Sequence, residues 1–226
     1  YFCNLIQGME KRFHFRKLLV SLLVAASVVV KAQTSVDPTV MNVAGKDVPL
    51  SEFVYIAGKN SEVNLADSAS LGTYLELFKK FKLKVAEAES LGMDTTQSFV
   101  NELKGYQEQL LKSYSKDSGE VLTPDKIRYI EQNYPEYKHL MQEYRDGILL
   151  FEVSDREVWS RASSDAAGLE TFFEQTKQKY TSDNLDAVRG EVIADYQSWL
   201  DNQWTRRLAD KYPIKVYWEV LKKLTK

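Results

Sequence analysis

Hydrophobic and polar positions along the chain predict a mostly α-helical protein with short strands near both ends. The apolar runs 40–44 and 47–50 flank Gly45-Lys46, and a two-residue connection with a leading glycine is typical of a type II′ hairpin turn. After Pro213, residues 214–218 alternate apolar and polar like a strand. Because a lone hairpin is marginally stable in water, we expect this strand to join it in one small antiparallel sheet.

Between these strands, apolar residues recur at steps of three and four, which predicts a series of amphipathic helices. The expected helices span residues 51–58, 73–92, 94–114, 124–134, 135–159, 165–180 and 185–211. Thr73 and Asp94 are the expected N-terminal caps of the second and third helices, and Ser164 or Asp165 caps the sixth. Pro124 and Pro135 occupy the first helical positions of the fourth and fifth.

Residues 1–32 match the pattern of a secretory signal peptide preceded by a few upstream residues. Basic side chains between positions 11 and 17 precede an uncharged stretch, Leu18–Val30, which is shorter than the roughly 20 residues that span a bilayer. We expect cleavage between Ala32 and Gln33. Residues 1–8 precede Met9 and are interpreted as upstream sequence, so Cys3 would not belong to the mature protein.

The mature chain is expected to be one domain, residues 33–226, with no stable membrane insertion after cleavage. A chain of this length can bury enough surface to be stable without disulfides. The predicted location is the periplasm, with secretion into the medium left open.

Composition excludes several kinds of chemistry. The 30 Lys and Arg residues are balanced by 32 Asp and Glu residues, so nucleic acid is not an expected partner. One cysteine and two histidines cannot assemble a zinc site or a Cys/His catalytic pair. Phosphate-binding loops, Gly-x-Ser-x-Gly and His-Glu-x-x-His are absent from the sequence, so we expect no cofactor and no enzyme activity.

Aromatic residues are abundant, with 13 Tyr, 10 Phe and 4 Trp. A tyrosine ring can stay half exposed while its hydroxyl binds water, which suits contact surfaces. Ordinary half-buried packing is the alternative interpretation of the same residues. The residues expected to line a groove for apolar peptide segments are Tyr74, Tyr106, Tyr114, Tyr144 and Trp159.

Residues 43–53, Val-Ala-Gly-Lys-Asp-Val-Pro-Leu-Ser-Glu-Phe, resemble the opening of the SurA-like and PrsA-like envelope foldases. In that family a strand, a glycine turn, a second strand and a helix follow in this order. Residues 74–92 are similar to the next helix, and residues 165–180 to the arm helix that precedes the isomerase module. Residues 196–217 resemble the helix and strand that return to the N-terminal core. The resemblance implies a helical chaperone core with a small antiparallel β patch.

One departure from the family pattern bears on activity. The family carries one or two parvulin modules with paired histidines between the arm helix and the returning helix, whereas here residues 181–184 alone separate these helices. The resemblance therefore implies an ATP-independent holdase for unfolded or nascent exported polypeptides, including outer-membrane proteins. Two alternatives stay open: a partner subunit that forms a homodimer or pairs with a foldase paralogue, and a residual prolyl isomerase that depends on His139.

Overall fold

The computed structural model describes residues 37–114 and 123–225, and the predicted signal peptide, Cys3 and the Ala32–Gln33 cleavage site lie outside the described residues. The strands are β1 (Thr39–Val43), β2 (Lys46–Pro49) and β3 (Ile214–Val216). The helices are α1 (Leu50–Ala57), α2 (Ser68–Ser90), α3 (Gln97–Ser113), α4 (Pro124–Asn133), α5 (Pro135–Ser154), α6 (Ser160–Ser164), α7 (Ala166–Thr176), α8 (Leu185–Lys211) and α9 (Trp218–Leu221). Short 3-10 turns form at Met93–Thr95 and Lys177–Lys179, and a π-helical turn, Asp155–Trp159, joins α5 to α6.

The three strands form one antiparallel sheet in the order β2-β1-β3. Asn42 in the central strand is paired with Asp47 of β2 on one side and with Lys215 of β3 on the other. The mostly helical fold with a β patch built from both ends of the described chain is thus confirmed.

The position predicted for the hairpin turn is wrong. Val43 pairs with Lys46, so the two connecting residues are Ala44 and Gly45. Both have positive φ, 52° and 84°, which a type I′ turn requires and glycine adopts without strain. Lys46 already belongs to β2.

The main hydrophobic core lies between the sheet and helices α1, α2, α5 and α8. Its buried side chains include Val40, Phe53, Leu75, Leu149 and Trp204. A second, smaller cluster, Leu110, Leu111, Ile130 and Tyr137, lies between α3, α4 and α5. Burial of one such side chain contributes about 1.5–3 kcal/mol, so these two clusters fix how the helices pack.

Two helices begin elsewhere than predicted, because a nearer side chain caps them. The carboxylate of Asp67 accepts a hydrogen bond from the Ser70 N–H at 2.7 Å, and α2 therefore starts five residues before Thr73. The hydroxyl of Thr96, rather than the carboxylate of Asp94, caps α3. The starts predicted at Pro124 and Pro135 are confirmed, as are both ends of α8.

In the described part of the chain, no helix combines the length and the apolar character that crossing a membrane would take.

Candidate functional site

Four half-buried tyrosines and the exposed Tyr134 gather where α1, α3 and the start of α5 meet. We call this group, Tyr55, Tyr106, Tyr114, Tyr134 and Tyr144, the tyrosine surface. The rings of Tyr106 and Tyr144 stack with centroids 4.7 Å apart and planes 9° apart. Tyr114 contacts Tyr134 edge to face at 4.8 Å. The Tyr55 hydroxyl lies near enough to Tyr114 and Tyr144 to influence the pKa of both.

The second hydrophobic cluster supports this surface from below. Tyr137 is fully buried in the cluster and meets the Tyr114 ring at 5.8 Å. Tyr137 and Tyr144 are two helical turns apart on α5, so they face the same side of that helix. The rings of this surface consequently lie on a packed base.

Burial dominates the electrostatics of the tyrosine surface. Burial, followed by the negative charge of Glu136, raises the pKa of Tyr114 to about 12. Burial also raises the pKa of Tyr55, and the charges of Glu143 and Glu136 add to the effect. These hydroxyls therefore stay protonated at neutral pH and are available as hydrogen-bond donors.

Charged and polar groups border the surface beside Tyr55. The Lys59 Nζ atom lies 4.8 Å from the Tyr55 ring centroid and 3.5 Å from Glu143 Oε2. His139 stacks on Tyr55 with centroids 5.0 Å apart, and burial lowers its pKa, so the imidazole is neutral at neutral pH. Burial raises the pKa of Glu143, and the Lys59 ammonium opposes that shift.

The structure brings together three of the five residues predicted to line a groove, namely Tyr106, Tyr114 and Tyr144. Tyr74 is buried in the main core, and its hydroxyl donates to the Phe53 carbonyl oxygen at 3.1 Å. Its assignment to an exposed groove is therefore wrong, since this face of α2 is turned inward. Trp159 lies in the π-helical turn, where it packs against Phe151 and the main core.

The sequence reasoning missed Tyr55, Tyr134, Lys59 and Glu143. Tyr55 lies on the short helix α1, and the apolar residues Phe53 and Ile56 alone determined which face of this helix was predicted to be buried. The spacing of four residues between Tyr55, on α1, and Lys59, two residues past the end of that helix, is the available signal. Their meeting with Glu143 depends on helix packing across more than 80 residues.

A network of buried charges fixes α5 against α1 and α2 and so positions Tyr55 relative to Tyr144. Lys82 Nζ donates to Glu52 Oε1 at 2.7 Å and to Asp146 Oδ2 at 2.8 Å. Arg145 links Asp146 to Glu89 at 3.2 Å and 2.8 Å. Asp146 is 1% exposed and fully paired, so these groups have a structural rather than a reactive environment.

Within residues 37–114 and 123–225, no group of three or more Asp, Glu, His and Cys side chains is arranged to hold a metal ion. What the site offers is aromatic contact area, phenolic donors and a local pair of charges.

Comparison with protein-family models, with curated proteins and with solved structures finds no match to the chain.

Proposed function

We propose that the protein is an ATP-independent envelope chaperone, a holdase that binds unfolded exported or outer-membrane polypeptides on the tyrosine surface. The observation that carries the proposal is the stacked, half-buried pair Tyr106 and Tyr144 beside Tyr55 and Tyr114. Such half-buried rings offer flat apolar area that can cover an apolar side chain of a client.

The expected binding is weak and reversible. Burying one apolar client side chain contributes about 1.5–3 kcal/mol, and ordering a flexible side chain costs about 0.5–1.5 kcal/mol. Several such contacts are needed for appreciable affinity, and release then requires no nucleotide. This matches a holdase that delays aggregation without an energy source.

The order of elements supports the chaperone-core interpretation over an isomerase. The hairpin, α1 and the returning α8–β3 unit follow the order that the SurA-like resemblance implies, and β3 returns to β1. The link from α7 to α8 consists of a 3-10 turn and residues 180–184. A residual isomerase would depend on His139, and the imidazole ring of this residue is stacked on the Tyr55 ring.

The test is suppression of the aggregation of chemically reduced lysozyme by the full chain, followed by light scattering. The double variant Tyr106→Ser/Tyr144→Ser removes the stacked pair and should lose most of the suppression. Tyr129→Ser is the matched control, since Tyr129 is an exposed tyrosine on α4 outside the stack. Far-UV circular dichroism should show unchanged helicity in both variants.

Two outcomes would contradict the proposal. The first is the absence of suppression by the wild-type chain at every molar ratio. The second is full suppression by the double variant with its helicity intact, because client binding would then not involve the tyrosine surface.

Association with a second copy or with a foldase paralogue is the second candidate function. The large apolar side chains Trp199 on α8 and Trp218 on α9 favour it, because both are about half exposed. Multi-angle light scattering that gives a dimer mass, lost in Trp199→Ser/Trp218→Ser, would support it. A monomer mass at high concentration would leave the holdase proposal as the better one.

A further inference from the structure

Lys59, Glu143 and Tyr55 form a small mixed site at the edge of the tyrosine surface, which we call the cation corner. An ammonium group, that of Lys59, already lies over the Tyr55 ring and faces the Glu143 carboxylate. The Lys59 side chain is 44% exposed and that of Glu143 is 30% exposed. Both side chains are therefore partly open to solvent, although the Glu143 Oε2 atom itself is buried.

The contact between Lys59 and Glu143 is incomplete as a hydrogen bond. Their 3.5 Å separation is well beyond the 2.7–2.9 Å or so of a charge-assisted hydrogen bond. Glu143 Oε2 is buried and has no hydrogen-bond partner. Lys82, in contrast, reaches both of its carboxylates within 2.8 Å. An unsatisfied buried acceptor is costly, so the corner has bonding capacity that Lys59 leaves unused.

The surrounding charges favour another cation. Glu136, two turns before Glu143 on α5, lies near enough to raise the pKa of Tyr55 and of Tyr114. His139 is neutral at neutral pH and adds no positive charge. The Tyr55 ring and the Glu143 carboxylate thus meet the Lys59 ammonium, and the charges that act on the stacked His139 are Asp37, Glu52 and Glu136 against Lys138. Aromatic faces attract ammonium and guanidinium groups.

We infer that the cation corner binds the ammonium or guanidinium group of a lysine or arginine side chain of the bound polypeptide, and that Lys59 is the resident cation which this group displaces. The inference rests on the proposed function and narrows its substrate class. Preferred segments would carry a basic residue close to an apolar one, with the apolar side chain on Tyr106 and Tyr144. On displacement, the Lys59 ammonium moves into water, where it is well solvated.

The test uses a fluorescein-labelled unstructured peptide rich in Phe and Leu with two lysines, and the same peptide with both lysines acetylated. Anisotropy titrations of the full chain should give a Kd about three- to tenfold lower for the lysine peptide. Lys59→Met should lower the Kd of the lysine peptide by a further factor of about two to five, because Lys59 no longer occupies the site part of the time. The Kd of the acetylated peptide, measured with the same variant, is the reference for this factor.

Glu143→Gln should remove most of the preference for the lysine peptide. Glu219→Gln and Lys222→Met are the charge-matched controls, since they alter an exposed pair on and just after α9. Equal effects of the Glu143 and Glu219 variants would overturn the inference by assigning the preference to net charge.

Equal affinity of the wild-type chain for both peptides would also overturn the inference while leaving the holdase proposal intact. Failure to bind either peptide would count against both. A loss of affinity for the lysine peptide in Lys59→Met, with helicity unchanged, would show that Lys59 is part of the contact and not its occupant.

Discussion

Lys82 shows how a single buried charge can determine the packing of three helices. Its ammonium lies between the carboxylates of Glu52 on α1 and Asp146 on α5, while Lys82 itself belongs to α2. Burial acts to lower the pKa of Lys82, but the two carboxylates outweigh it and the net shift is upward. The ammonium is therefore charged across the whole physiological range.

Replacing Lys82 with Met should destabilise the protein by about 3–5 kcal/mol, because Glu52 and Asp146 would lose the cation that lies between them and Arg145 alone would remain beside Asp146. Urea unfolding followed by circular dichroism measures this change. The control is Lys80→Met, an exposed residue of the same helix, for which we expect a change within about 0.5 kcal/mol.

The loss in Lys82→Met should shrink when one of the two carboxylates is neutralised by substitution. Glu52→Gln/Lys82→Met removes the repulsion between the carboxylates, so it should be more stable than Lys82→Met alone. A double variant no more stable than Lys82→Met would contradict the electrostatic explanation and favour lost packing.

At the scale of elements, the π-helical turn Asp155–Trp159 is the departure from regular geometry that the sequence did not predict. The Ser160 N–H bonds to the Asp155 carbonyl, and Val158 in the turn is buried. A π-helical turn holds one residue more than the α-helical turn that it replaces. The turn thus accommodates one extra residue, so that α5 before it and α6 after it can both keep their apolar faces towards the core.

Deletion of Arg156, which is exposed in this turn, should be tolerated within about 1 kcal/mol, since a regular α-helix can replace the π-helical turn and preserve both faces. Deletion of Asn202, exposed in the regular helix α8, is the control. It should rotate the flanking segments by about 100° and unfold the core. Thermal unfolding compares the two, and equal damage would show that the turn is not an insertion.

Particular residues show what the sequence could and could not predict about these elements. Pro124, Pro135 and Pro213 constrain the backbone locally, so the helix ends beside them were predicted correctly. Asp67 and Thr96 were missed as caps because several polar residues compete at each helix start. Lys82 and Asp146 are 64 residues apart, and no local pattern reports a contact that tertiary packing creates.

The candidate site was only partly predictable for the same reason. The periodicity assigned Tyr106 and Tyr144 to helices, but the stack between them arises from the packing of α3 on α5. Tyr74 has the same residue type and a similar spacing, yet it is buried. Periodicity identifies the apolar face of a helix without showing which neighbour covers it.

At the scale of the whole molecule, the sheet joins the two ends of the described chain into one folding unit. Leu221 on α9 is fully buried in the main core, and α9 packs against β1. The C-terminal segment is therefore part of the core and not an appendage.

Replacing Leu221 with Ala should lower the free energy of unfolding by about 2–5 kcal/mol. Because the sheet and Leu221 tie the C-terminal segment to the main core, we expect tryptophan fluorescence and far-UV circular dichroism to report the same shifted urea midpoint. The control is Lys222→Ala, at the exposed neighbouring residue, which should change the free energy of unfolding little. Midpoints that separate between the two probes would show that the C-terminal segment melts independently.

The central place of β1 also has a consequence for synthesis. The ribosome makes β1 about 170 residues before β3, so one edge of that strand stays unpaired until residues 214–216 have emerged. An unpaired edge is a template for pairing with other chains. Completion of the native sheet thus waits for the synthesis of β3, and a nascent chain held up before residue 214 would be the form most exposed to intermolecular β-pairing.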